Sequence, residues 1–219
     1  MLQRAVILLL GWLLAVPAVA QNDASGGGRW QFAIGSQVQY FDVNAVNPLY
    51  DLEFQPFIYP VSGRGYYDVW QSDDFYSVQA SPGLNVGFSS TNFSSGPNIL
   101  IETPTYMMAR VGAGATQYNQ SVLGFGVGAG LDFGYLLFNS QFSSGAGTPT
   151  VNGRLSMFSF APGAVAELVA NIGGAKYLLR FNMNLTDMRT DLLFDEPGTQ
   201  ETKFPVDISH WGIGLWFLL

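Results

Sequence analysis

The chain has 219 residues, a formal net charge of −7, no cysteine and one histidine. The acidic balance leaves no electrostatic footprint for nucleic acid, and the lack of cysteine excludes a disulfide framework, so stability must come from the fold itself. Apolar residues make up 48% of the chain and charged residues 11%, a balance that suits one domain with an apolar surface facing something other than water.

At the N-terminus, Arg4, the apolar run from Ala5 to Val16, the helix break at Pro17 and the small triplet Ala18-Val19-Ala20 read as a secretory signal cleaved before Gln21. The run is short for a bilayer-spanning helix, which needs about 20 residues. The expected division is therefore a signal peptide over 1–20, a flexible glycine-rich lead over 21–28 and one β domain over 29–219.

Trp30, Phe32, Ile34, Val38 and Tyr40 alternate with Gln31, Ala33, Gly35, Gln37 and Gln39, the two-residue period of a strand with one apolar face. Prolines and asparagines then break the pattern, so 42–63 reads as a long outer loop. A weaker strand over 64–70 leads through the turn Gln71-Ser72-Asp73-Asp74 into a clear strand from Phe75 to Phe88, where Pro82 predicts a pairing defect. Ile99, Ile101, Thr103, Thr105, Met107, Ala109 and Val111 form the next outward row, which turns Glu102, Tyr106 and Arg110 the other way. Residues 112–121 form a turn.

The stretch from Val122 to Tyr135 identifies the surroundings. Leu123, Phe125, Val127, Ala129, Leu131 and Phe133 occupy one face; Gly124, Gly126, Gly128, Gly130, Asp132 and Gly134 occupy the other. A face of bare glycine and one acid packs no dry core, whereas large side chains facing lipid and small ones lining a crowded interior suit a transmembrane barrel. Residues 139–153 read as a loop. A strand is predicted over 155–172, although Val165, Leu168, Val169 and Ile172 also match helical spacing, because the turn Gly173 to Lys176 leads into a partner strand from Tyr177 to Leu185. An acidic loop over 190–206 precedes the last outward row, Trp211, Ile213, Leu215, Phe217 and Leu219. The prediction is an all-β, eight-stranded antiparallel transmembrane up-and-down barrel with its tight turns on one side and long loops on the other.

The final residues resemble the C-terminal strand signal of outer-membrane β-barrels, with Gly214, Phe217 and Leu219 in its last three matched positions; Gly212 stands where that signal has a polar residue, and Leu219 where it usually has an aromatic. The mature chain is similar in pattern and length to the small eight-stranded barrels of the OmpA and OmpX type, and its glycine-rich middle to outer-membrane barrel proteins of the Bacteroidetes lineage. The resemblance implies a Gram-negative outer-membrane location, insertion by the barrel-assembly machinery, and contact with outer-membrane lipid and lipopolysaccharide. It assigns no activity to any residue.

Several constellations could carry chemistry. The glycine run has G-x-G-x-G-x-G spacing with no helix after it, so glycine for a narrow interior is preferred to a phosphate loop. Five inward charges, Glu102, Arg110, Asp132, Glu167 and Arg180, are expected to form a polar interior network. If Ile172 pairs with Tyr177, Glu167 lies diagonal to Arg180; if Arg110 pairs with Gly124, Glu102 lies opposite Asp132. His210 and Ser209 are adjacent, hence on opposite faces, and form no catalytic pair. One histidine and no cysteine point away from a transition-metal site, and no cofactor or catalytic residue is expected. Asp191, Asp195, Glu196 and Glu201 match no calcium-loop spacing and read as a solvated acidic loop.

The expected function is a non-enzymatic integral outer-membrane protein of the cell envelope, structural or surface-interacting, with a filled polar interior and possible surface ligands on loops 42–63, 139–153 and 190–206. The alternatives are a narrow gated, porin-like channel for small solutes or ions, a lipid-modifying outer-membrane enzyme, and, more weakly, a soluble ligand-binding barrel.

Overall fold

The computed structural model describes residues 30–46, 53–72, 74–89, 97–116, 118–142, 151–195 and 202–219. The signal over 1–20 and the lead over 21–28 lie outside them. The strands are β1 (Trp30–Ala45), the two-residue β2 (Glu53–Phe54), β3 (Phe57–Ser72), β4 (Tyr76–Ser89), β5 (Asn98–Gly112), β6 (Leu123–Phe142), β7 (Val151–Ile172), β8 (Ala175–Asn184), β9 (Met188–Asp195) and β10 (Thr202–Leu218).

All pairings are antiparallel, and β1 pairs with both β3 and β10, which closes the sheet on itself. Both β8 and β9 lie between β7 and β10, one beyond the other, so they form a single stave. β2 only flanks β1. The result is a closed barrel of eight staves, as the alternation predicted, and closure leaves no long unpaired edge. The stretch over 155–172 is strand throughout. Gly173 and Gly174, with φ of 62° and 88°, make the two-residue link from β7 to β8, the left-handed pair that a tight hairpin requires.

The strands are longer than the composition suggested, and the loops correspondingly shorter. β3 begins at Phe57 rather than at 64, since Phe57, Tyr59 and Val61 continue the outward row while Ile58, Pro60 and Ser62 face in. Pairing on both sides, Pro60 with Gly87 and Ser36 with Val61, holds a proline-bearing segment in the sheet. Likewise β6 and β7 stay paired out to Phe142 and Val151, and β9 and β10 occupy most of 190–206. Partners on the neighbouring staves override weak local propensity. The pairing between β4 and β5 lapses between Pro82↔Thr105 and Asn85↔Glu102 without a change of register.

Alternation sorts side chains into two environments. The outer surface carries an apolar band that includes Ile34, Phe125, Phe160 and Leu215, each 49% exposed or more. The interior has three layers. At the loop end Phe41, Ile58, Leu100, Leu136, Phe138 and Leu192 belong to a dry cluster. Charged and amide side chains fill the middle. At the turn end the link between β5 and β6 folds inward and buries Ala113, Ala115, Thr116 and Asn119. A second apolar cluster, with Val169, Leu178, Trp216 and Leu218 packed together with Ala113 of the inward turn, lies towards the turn end, so the filled polar interior expected from the sequence occupies the middle, with apolar packing on both sides.

Candidate functional site: the interior charge network

The middle layer is built by inward positions of all eight staves, and cross-strand glycines make space for it. Arg110 and Glu167 both pair with Gly126, from the two sides of β6. Arg180 pairs with Gly214, Arg64 with Gly83 and Glu102 with Gly134. A Cβ at Gly126 would stand 3.0 Å from Arg110 Cγ and 3.4 Å from Glu167 Oε2, and one at Gly83 would stand 2.9 Å from Arg64 Cζ. Arg110, Glu167 and Arg64 thus lie over residues that have no side chain.

Glu167 is the centre of the first group. Its Oε1 accepts from Tyr66 Oη at 2.8 Å and from Arg180 Nη1 at 2.5 Å, and its Oε2 accepts from Arg110 Nε at 2.9 Å and from Arg110 Nη2. Arg110 also stacks on the Tyr66 ring, 3.7 Å from its centroid, and donates from Nη1 to Gly114 O at 3.1 Å. Arg180 pairs directly with Glu167 across β7 and β8, because Ile172 pairs with Ala175 and not with Tyr177. The two-residue link shortens the expected turn and converts a diagonal contact into an opposed one.

Glu102 and Asp132 form a second group. Gln39 Nε2 and Asn85 Nδ2 donate to Glu102 Oε2 at 2.9 and 2.6 Å, and Tyr106 Oη donates to both oxygens of Asp132, at 2.6 and 2.7 Å. The two carboxylates are not directly opposed: Glu102 pairs with Gly134 and Asp132 with Pro104, since Arg110 pairs with Gly126 rather than Gly124. The link from Gly112 to Leu123 closes on a Gly112↔Gly124 pair, two residues along from the expected register. Among the described residues, neither acid is hydrogen-bonded by an arginine. His210 faces this group from β10, with Nε2 3.7 Å from Glu102 Oε1, and its ring stacks on Phe41.

Sequence reasoning turned Gln39 and Asn85 inward but left them out of the network, and it missed Arg64, Tyr66 and the place of His210 beside two acids. The Arg64 guanidinium lies 5.5 Å from the Trp216 ring centroid and 5.7 Å from that of Tyr106. Extending the alternation of β3 back to Phe57 would have turned Arg64 and Tyr66 inward. The turn-end stopper was missed as well. Gln31 Nε2 donates to Gly114 O at 3.5 Å, Gln79 Nε2 to Ala115 O at 2.8 Å and Lys176 Nζ to Thr116 O at 3.1 Å, so the barrel wall grips the inward turn by its carbonyls.

Ser209 lies on the opposite face from His210, half-buried and outside the lumen. In the C-terminal strand Gly214 faces in, where a Cβ would run into Gln37, while Phe217 and Leu219 face out. Asp191 is exposed on β9, and Glu196 and Glu201 lie outside the described residues. Near the loop end Arg189 donates from Nε and Nη2 to the two oxygens of Asp207, at 2.8 and 3.1 Å, and these hydrogen bonds hold the Asp207 carboxyl below the usual carboxylate range.

No protein-family model matches the chain, and no curated protein does. Among solved structures, Ail, the attachment invasion locus protein of Yersinia pestis in complex with the heparin analogue sucrose octasulfate, is similar at 9% sequence identity, over 87% of this chain and 99% of that one, with a TM-score of 0.45. Neisserial surface protein A is similar at 10% identity, over 88% and 99% of the two chains, with a TM-score of 0.41. The N-terminal β-barrel domain of Pseudomonas aeruginosa OprF is similar at 14% identity, over 84% and 97%, with a TM-score of 0.35.

Proposed function

We propose that this chain is a non-enzymatic integral protein of a bacterial outer membrane, exported with cleavage after Ala20, whose sealed barrel is a rigid platform for surface interaction or envelope structure. The apolar outer band supports a lipid-embedded barrel, since a soluble protein rarely shows so continuous an apolar surface. One observation carries the non-conducting reading: Glu167 is clamped by Arg110, Arg180 and Tyr66 in the middle of the lumen, between an inward-folded turn and a dry apolar layer. Eight staves enclose little more than their own side chains. In this reading the five network residues are a structural plug. Partners are outer-membrane lipid and lipopolysaccharide at the band, the barrel-assembly machinery at the last strand, and a surface ligand at the loop end.

The test is single-channel recording of the refolded protein in a planar bilayer, beside Arg180→Ala. A folded wild-type barrel is expected to be silent. Discrete wild-type openings that change with the substitution would replace the plug by a gated channel with the network in its path.

A further inference from the structure

Glu102 on β5, Asp132 on β6 and His210 on β10 bring one donor atom each to a common point, with the three atoms within 4.8 Å of one another. All three residues are buried. β5 and β6 are neighbours, while β10 lies across the ring of staves, so the cluster joins opposite walls. The two acids are held in place by other groups. Gln39 and Asn85 occupy Oε2 of Glu102 and leave Oε1 turned towards His210. Tyr106 orients Asp132. Such outer bonds position carboxylates that ligate metals.

An independent observation comes from His210 itself. It is 4% exposed, and neither ring nitrogen has a hydrogen-bond partner among the described residues. A buried polar group without a partner is costly. The two carboxylates are like charges at close range; Arg64 and Arg180 face them across the lumen, but among the described residues no arginine bonds to either. One divalent cation would accept the imidazole lone pair at Nε2 and draw the two carboxylates to a shared charge.

We infer that Glu102, Asp132 and His210 form a binding site for a divalent first-row transition metal, with zinc the best match to the donor set. Imidazole together with carboxylate oxygen suits zinc, whereas calcium and magnesium prefer oxygen alone. Bond lengths of about 2.0–2.2 Å put the donors of a tetrahedral zinc about 3.4 Å apart, inside both the 3.7 Å between His210 Nε2 and Glu102 Oε1 and the 4.8 Å that spans all three donors, so the side chains draw together on binding. The stopper and the apolar layer close the lumen on either side, so the ion braces the two walls and meets no substrate.

His210 is the only histidine in the chain, so untagged wild-type protein carries its own probe. Because the lumen is closed on both sides, the chain is stripped with a chelator while unfolded and refolded into detergent over a series of Zn2+ concentrations; the imidazole nitrogen resonances are followed by NMR and retained zinc is quantified after gel filtration. The expected result is one equivalent of zinc, a displaced His210 signal, and affinity at least about tenfold lower in Glu102→Gln, or in Asp132→Asn if the first variant fails to fold. Folded wild type that retains no zinc overturns the inference. Zinc binding that leaves the His210 signal unmoved, or that persists at full affinity in a folded variant, places the metal elsewhere and equally overturns it.

Discussion

At Glu167 one carboxylate meets two guanidinium groups and a phenol inside a closed barrel. Taking these charges out of water is expensive, and the geometry compensates only while every partner is present. Glu167→Gln leaves Arg110 and Arg180 without their shared counter-charge and is expected to destabilise the barrel by about 3–5 kcal/mol, read as a lower urea midpoint in lipid vesicles. An unchanged midpoint would show that the ion pairs contribute nothing net. The glycines separate by the same logic. A Cβ at Gly130 would press into the Thr105 carbonyl and stand 2.7 Å from Tyr106 Cα, whereas nothing lies within 4 Å of one at Gly63. Gly130→Ala should therefore cost about 1–3 kcal/mol, and Gly63→Ala should stay within about 0.5 kcal/mol of wild type. That Arg110, Glu167 and Arg180 face inward was legible from the two-residue period. Which atoms meet was not, because a two-residue error in each hairpin turned an opposed pair into a diagonal one and a diagonal pair into an opposed one.

At the scale of the element, the turn from Ala113 to Asn119 and the paired ends of β9 and β10 behave differently. Gly114 sits at φ 81° with its carbonyl held by Gln31 and Arg110. Gly114→Ala should cost roughly 1–2 kcal/mol for the left-handed conformation. It should also speed amide exchange at Ala115 and Thr116 while Leu178 and Tyr106 stay protected. Uniform loss of protection would show instead that the stopper and barrel unfold as one unit. The Arg189–Asp207 pair is exposed, so it adds a local signal rather than stability. Its folded carboxyl pKa is depressed, so any stability it brings is present above the ordinary carboxylate pKa and is lost as pH falls through the lower folded value. Arg189→Ala should raise the Asp207 pKa towards the ordinary range by NMR, and high salt should do the same in wild type. β3 illustrates why element boundaries escaped prediction. Pro56 and Pro60 carry the local signature of a loop, yet a stave held on both sides by β1 and β4 keeps Pro60 within the ladder.

The whole molecule is a lumen filled in layers: a gripped turn, a charged middle and a dry apolar cap. The three layers lie in series along the lumen, so under the proposed plug Arg180→Ala is expected to lower stability while the folded barrel stays non-conducting; openings in that variant alone would show that the charged layer is the sole barrier. By itself the sequence determined the class of fold and the inside and outside of each stave, because a strand turns alternate residues to opposite faces and a closed barrel has only two faces to offer. The glycine faces also announced a crowded interior before any contact was known. Where the strands end, which charges meet and how the lumen is filled at both ends came from the folded barrel alone. Those depend on register and on contacts across the barrel, such as Tyr66 with Glu167 or Gln39 with Glu102, between residues 101 and 63 positions apart. No local pattern encodes a distance of that kind; closure of the ring creates it.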